Sequence, residues 1–327
     1  MNDGGDWRPS AARARLAARA ALLARTREFF AARGVLEVDT PLIVNAPVTD
    51  VHIHSARVEL ADVAAATASE YFLHTSPEYA MKRLLAAGSG DIYQVCKVFR
   101  DAERGRWHNP EFTMIEWYRV GFDDTVLMNE VEALIGELLA PARTLGAAER
   151  LSYSDALRRH AGVDAFDSSE DELLDAARAH GVHCDAQLDR DAKLDLLMGL
   201  IVGPRLGLGH PCFVCDYPAT QAALARLKPG LPPVAARFEL YLDGLELANG
   251  FHELAQPAEQ RARFARDLSL RGSRGQVQPP LDENFLAALM SGLPDCAGIA
   301  LGFDRLVAIG LGADKLADAM AFSIENA

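Results

Sequence analysis

A stripe at spacings of three and four (Leu16, Ala20, Leu23 and Phe30, with Arg27 inside it) predicts an amphipathic helix over residues 10–33. Ser10 stands at its start as a cap and Gly34 at its end as a stop. The period then shortens. Residues 35–38, 71–73, 91–100 and 112–120 read as strands, and Thr75-Ser76-Pro77-Glu78 opens a helix that runs through Leu85. Residues 101–111, between two of those strands, are polar and rich in Arg, His and Asn. Residues 125–202 are mainly helical in pattern, with capping signals at Ser152 and Ser169. Strands return at 212–216 and 237–242, and Asp243-Gly244 is a two-residue hairpin signal that leads into 245–248. Helices follow near 257–271 and 282–291, and residues 298–306 read as a strand feeding a helix. This order, antiparallel strands with helices at the flanks, predicts an α+β fold. It is read as a single domain over 1–327 with a helical insertion at about 125–205.

Composition narrows the classes. The chain has 327 residues, 50% of them hydrophobic and 24% charged, which suits a folded globular protein. The net charge of −13 repels a phosphate backbone over most of the surface, so extensive nucleic-acid binding is disfavoured. No run of 18 apolar residues occurs, so no membrane span is expected. The first ten residues lack the apolar core of a signal peptide. Residues 11–32 have the Ala and Arg bias of a transit peptide, but Glu28 and the strand that follows mark them as a structural helix. Five cysteines, an odd number, suggest reduced thiols and a cytoplasmic location. Cys212 and Cys215 form a C-x-x-C with only His210 nearby as a further ligand, so they are read as small residues on a buried strand rather than as a zinc site.

The chemistry gathers in three places. The strand ending at Arg100, the polar loop and the returning strand make a hairpin that projects basic groups. Arg100 carries a planar, permanently charged fork suited to phosphate. On the returning strand Met114, Glu116 and Tyr118 share one face, a carboxylate and a phenol among apolar groups that suit an ammonium ion. The bland alternative is an amphipathic hairpin with a solvated arginine. In the second hairpin, a turn at Asp243-Gly244 sets Tyr241 opposite Glu246 and Glu239 opposite Ala248. Glu239 and Glu246 then lie on one face as diagonal neighbours, and two carboxylates so close suit Mg²⁺. Glu253 lies beyond Asn249-Gly250, where glycine permits a sharp bend, and is a third acid in apolar surroundings. The alternative is surface acids on an acidic protein. Third, Gly302-Phe303-Asp304-Arg305 places an arginine at a helix start, where the dipole disfavours a cation. That points to an anionic ligand or an aromatic face as its partner.

Together these segments resemble the catalytic domain of class II aminoacyl-tRNA synthetases. Val38-Asp39-Thr40-Pro41 is similar to the family's first motif, a helix and strand used for dimerisation. Phe99-Arg100, with His108-Asn109-Pro110-Glu111-Phe112 and Thr113 to Tyr118, is similar to the second, and Gly298 to Leu306 to the third. Thr75-Ser76-Pro77-Glu78 and Glu246-Leu247-Ala248-Asn249-Gly250-Phe251-His252-Glu253 resemble the lysyl subgroup. The resemblance covers nearly the whole chain from about residue 10. Only about ten residues precede the first helix, so the anticodon-binding domain of the lysyl enzyme is not expected and tRNA is not the expected partner. The chain is more similar to the stand-alone relatives of that enzyme, which use ATP to activate (R)-β-lysine and transfer it to a lysine of elongation factor P.

The resemblance implies roles. Arg100 would hold the α-phosphate and Arg305 the nucleotide from the far side. Asn109 would contact phosphate, Phe112 would stack on adenine, and Leu247 and Gly302 would line the nucleotide site. Glu239 and Glu246 would hold Mg²⁺. Glu78 and Glu116, beside Ser76 and Pro77, would receive one substrate amine, and Tyr118 and Glu253, beside Asn249, the side-chain amine. Ala300 stands where the tRNA enzymes have glycine, and its methyl would reshape the floor under the amine, consistent with a β-amino acid or lysine as substrate. The family's Arg-x-Glu reads Arg100-Asp101-Ala102-Glu103 here. Either Glu103 or a backbone carbonyl reads adenine instead, or ATP binds less well. No residue stands out as a general base. A homodimer is implied by the family. Arg104-Gly105-Arg106, basic on an acidic chain, is either part of the partner surface or a solvated loop. Two alternatives stand beside this reading: a truncated lysyl-tRNA synthetase-like ligase and a catalytically inactive regulatory paralogue.

Overall fold

The first helix forms at Arg13–Ala31, and its buried stripe is Leu22, Thr26, Phe29 and Phe30. That stripe differs from the predicted one, since Ala20 and Arg27 are exposed. Ser10 does not cap this helix. Its hydroxyl donates to Asn326 Oδ1 at 2.9 Å, and Ala12 takes the cap position without a side-chain hydrogen bond. Gly34 follows the helix end at φ +68°, the left-handed conformation glycine adopts at little cost. These observations come from a computed structural model that describes residues 7–62 and 67–327.

The chain divides into two compact units. One takes residues up to 121 together with 255–295 and 300–327, and the other takes 122–254 and 296–299. In the first unit, the hairpin Ile92–Phe99 and Glu111–Val120 is antiparallel from Ile92 opposite Tyr118 to Phe99 opposite Glu111. Leu36–Glu37, shorter than predicted, pairs with it in parallel. Phe30 lies 4.4 Å from the Tyr93 ring and 5.3 Å from Trp117, so the first helix covers one face of the hairpin. A small sheet of Ile43–Val44, Thr67–Leu73 and Arg57–Asp62 completes the strands of this region. The last of these was not predicted, although its alternating Arg57 to Asp62 fits a strand. Helix Glu78–Ala86 stacks Tyr79 on Phe285 of helix Glu283–Gly292 at 4.6 Å.

In the second unit, the predicted caps are present. Ser152 accepts from Asp155 N, and Ser169 forms a complete capping box with Glu172. Helices Tyr153–Ala161, Glu170–Ala179 and Arg190–Leu197 bury Leu157, Leu173 and Leu197 in one cluster with Val214 of strand Cys212–Pro218. Cys212 and Cys215 lie on that strand, the first buried and the second half-buried. Strand Glu149–Ser152, inside the segment read as helical, pairs with it in parallel. The parallel pairs make the strand arrangement mixed rather than purely antiparallel, and the class is α+β. None of the helices among the described residues is long and apolar enough to cross a membrane.

Candidate active site

The first unit builds a buried acid cluster. Pro77 sits at the N-cap of helix Glu78–Ala86, and the Ser76 hydroxyl accepts from Glu78 N at 3.0 Å. The same hydroxyl donates to Glu116 Oε2 at 2.7 Å, and the Tyr118 hydroxyl donates to Glu116 Oε1 at 2.7 Å. Two donors therefore fix the orientation of a carboxyl group that is only 2% exposed. Burial, and after it the charge of Glu78, pushes the Glu116 carboxyl up to about 8. Lys82, one helical turn beyond Glu78, places Nζ 2.5 Å from Glu78 Oε1 and is itself buried. Lys82 is absent from the sequence-based set. Its signal is the i,i+4 spacing from Glu78 on a helix face that turns inward. A cluster with a carboxyl raised this far gains from an incoming ammonium ion, because a cation lowers the cost of the buried charge.

The hairpin loop carries the basic groups. Arg100 N donates to Pro110 O at 2.8 Å, which closes the loop at its base. The Arg100 guanidinium lies 5.2 Å from the centre of the Phe112 ring and 3.5 Å from Glu103 Oε1. Ala102 stands at φ +66°, a conformation that costs a residue with a Cβ, and its N–H donates to Asp101 Oδ1 at 2.9 Å. Asn109 is buried; its Nδ2 donates to Glu111 O at 2.6 Å. Arg305 lies in the first turn of helix Phe303–Gly310 and donates from Nε to Trp107 O at 3.2 Å. The helix start is pinned by its neighbour Asp304, which accepts from Thr113 N at 2.7 Å and pairs with Arg19. Asp304 thereby ties the helix to the hairpin. Burial and the charge of Arg305 lower the pKa of His108, which places cationic character around the loop. Arg104 is exposed and lies 3.8 Å from Glu325, while Arg106 Nε donates to Asp314 O at 2.5 Å. Ala300 and Gly302 lie on strand Cys296–Gly302, with Gly302 capping the helix of Arg305.

The second unit builds the acidic hairpin of Val234–Leu242 and Leu245–His252. Asp243 and Gly244 both have positive φ, +51° and +76°, as a primed two-residue turn requires. Tyr241 is opposite Glu246, as predicted. A bulge follows, so Glu239 faces Asn249 and not Ala248. Glu246 and Asn249 are three residues apart and would point to opposite faces of a regular strand. The extra residue, Leu247, restores the parity and sets both on the face of Glu239 and Tyr241. Glu239 accepts from Arg237 Nη2 at 2.7 Å and from the Tyr241 hydroxyl at 2.7 Å. No sharp bend occurs at Gly250. The strand continues to His252, and a Cβ on Gly250 would lie 2.5 Å from Phe238 Cζ, so the glycine admits that ring. Glu253 is 1% exposed, and its N–H donates to Cys296 O at 3.0 Å.

Among the described residues no group of three or more His, Cys, Asp or Glu is arranged to hold a metal. Glu239 and Glu246 would offer Mg²⁺ two carboxylates, and each Glu239 oxygen, which accepts one hydrogen bond, keeps a lone pair beyond it. That donor set fits an ion that completes its shell with phosphate oxygens and water.

A sequence profile of the class II tRNA synthetases (D, K and N) matches residues 5–326. A Vibrio cholerae serotype O1 protein named elongation factor P–(R)-β-lysine ligase is 48% identical over 324 residues, 98% of this chain and 99% of the relative. A Vibrio atlanticus protein of the same name is 48% identical over 318 residues, 97% of each chain. A Salmonella paratyphi B protein, again of that name, is 46% identical over an alignment of 329 positions that covers 100% of each chain.

Proposed function

We infer the function from one premise: the chain belongs to the class II tRNA synthetases of the D, K and N group. We propose that it is a ligase that activates (R)-β-lysine with ATP and transfers it to a lysine side chain of elongation factor P. The observation that carries the substrate class is Glu116, a buried carboxyl held by Ser76 and Tyr118 beside the Glu78–Lys82 pair. A buried carboxyl cluster of this kind suits an amine, and the relatives' names supply which amine and which acceptor.

In the first step a substrate carboxylate oxygen attacks the α-phosphorus of ATP. The bond to the bridging oxygen breaks and pyrophosphate leaves. Arg100 and Arg305 stabilise the negative charge on the phosphates, and Asn109 offers an N–H donor. Catalysis is then mainly positioning and electrostatics. Mg²⁺, held through Glu239 and Glu246, would neutralise phosphate charge. In the second step the acceptor amine attacks the carbonyl carbon of the adenylate. AMP leaves and the amine loses a proton. The carboxylate needs no base, and the acceptor lysine has only to arrive deprotonated. Glu78 and Glu116 orient one amine of the substrate, with Tyr118 beside them. The chain acts as one catalytic domain, in the cytoplasm. Its five free cysteines suit a reducing compartment.

The test is mass spectrometry of elongation factor P incubated with the protein, ATP and (R)-β-lysine. A single β-lysyl addition that requires ATP is expected. Charging of α-lysine onto tRNA with elongation factor P left unmodified would overturn the reading. Absence of ATP–pyrophosphate exchange with every lysine isomer would mark an inactive paralogue.

A further inference from the structure

The C-terminal segment touches the hairpin loop at several points. Leu316 N donates to Arg106 O at 2.9 Å, and Arg106 Nε donates back to Asp314 O at 2.5 Å. Further along, Ile324 N donates to Asn109 Oδ1 at 2.9 Å. This last bond settles the orientation of a buried amide. A peptide N–H can only donate and a peptide carbonyl can only accept. With Ile324 N on Oδ1 and Glu111 O on Nδ2, the Asn109 amide cannot flip without losing both bonds. One Nδ2 hydrogen then remains to face a ligand oxygen.

Asn326 holds the segment in place. Its Oδ1 accepts from the Ser10 hydroxyl at 2.9 Å and from Ser323 N at 3.1 Å. Its Nδ2 donates to Arg8 O at 3.1 Å. Ser10 N also donates to Ala321 O at 2.7 Å, so the N-terminal segment and the C-terminal segment are joined directly. A cavity of about 450 Å³ is lined by Arg8, Arg104, Arg106, His108, Asn109 and Lys315, among others. The loop and the C-terminal segment are thus joined across an open space by a few hydrogen bonds, and Ile324 is 40% exposed.

We propose that residues 314–326 form a strap that positions the hairpin loop for ATP, with Asn326 as its clasp and the Ile324 N–H as the group that aims Asn109. Asn326 and Ile324 are positioning residues; neither touches substrate. The role of Asn109 as a phosphate ligand rests on the function proposed above, so two readouts are needed. The first is hydrogen–deuterium exchange of the unliganded protein, wild type against Asn326→Ala. Faster exchange is expected at the His108, Leu316 and Ile324 amides. Unchanged exchange at these positions overturns the strap, whatever the enzyme does. The second is ATP–pyrophosphate exchange. Asn326→Ala should raise the KM for ATP about tenfold, the effect of one hydrogen bond to a charged group, with kcat within about twofold. Asn109→Ala should do the same, and the double variant should be no worse than Asn109→Ala alone. An unchanged KM for ATP in Asn326→Ala, or additive effects in the double variant, overturns the positioning role. A wild type that exchanges with no lysine isomer overturns the function instead, and the hydrogen-exchange result then decides the strap alone. Ser10→Ala, which removes one bond to the clasp, serves if Asn326→Ala does not fold.

Discussion

Glu116 concentrates the chemistry of the first unit in one side chain. Its carboxyl, raised to about 8 by burial and by Glu78, is mostly protonated at neutral pH before substrate arrives. An ammonium ligand favours the ionised form, so binding should release most of one proton near about pH 7. Calorimetry of amino-acid binding in buffers of different ionisation heat measures this, and a heat independent of the buffer would remove Glu116 as the amine acceptor. The same raised value has a stability consequence with a definite sign. Between the ordinary carboxyl value of about 4.3 and the native value near 8, the native state holds a proton that the unfolded chain has lost. Stability from this group therefore falls as pH rises through that window. Glu116→Gln cannot ionise, so its Tm relative to wild type should rise between about pH 5.5 and about pH 8.5. A flat difference would contradict the burial argument. The Glu116–Tyr118 pairing was legible from the two-residue period of a strand. Lys82 was not, because a lysine on a helix gives no sign by itself of whether its face is buried.

At the scale of elements, local signals read true where the cause is local. Ser152, Ser169 and Asp243-Gly244 act through their own backbone, and each is found as predicted. The misses have tertiary causes. Ser10 reaches Asn326, 316 residues away, rather than the helix next to it. The bulge at Leu247 is invisible in a run where Leu245, Leu247 and Ala248 are all apolar, yet it decides which side chains share a face with Glu239. Gly250 permits a bend on sequence alone, but its reason is the Phe238 ring opposite. An added Cβ would also lie 3.0 Å from Ile299 Cβ, so neither neighbour can yield freely. Gly250→Ala should destabilise the protein by about 1–3 kcal/mol, the usual effect of overpacking a filled core. Urea denaturation checks this, with the midpoint lowered and the slope unchanged. A midpoint equal to wild type would mean that the strand shifts to accommodate the methyl, and the close-approach account of Gly250 would then fail.

The whole molecule carries a net charge of −13, and the exposed apolar side chains on it are informative against that background. Leu36, Leu42 and Ile43 are 56%, 38% and 38% exposed, and they flank Val38-Asp39-Thr40-Pro41, the stretch that resembles the family's dimerisation motif. Ile43–Val44 is a two-residue strand paired through Leu73 and Phe72. Fully burying such a side chain is worth about 1.5–3 kcal/mol, so three close together in sequence favour association once a matching surface is offered. A second copy of the chain offers one, because a two-fold dimer presents the same patch from both sides. We therefore expect a dimer in light scattering after gel filtration. Ile43→Asp would place a charge in that interface, where it must be desolvated without a partner, and should yield monomers with an unchanged circular dichroism spectrum. Leu231, 101% exposed and far along the chain, provides the control. Leu231→Asp adds the same charge to an already acidic surface and should leave the dimer intact. If both variants dissociate, general charge repulsion is the cause. If the wild type is monomeric at micromolar concentration, the apolar patch serves something other than a second copy.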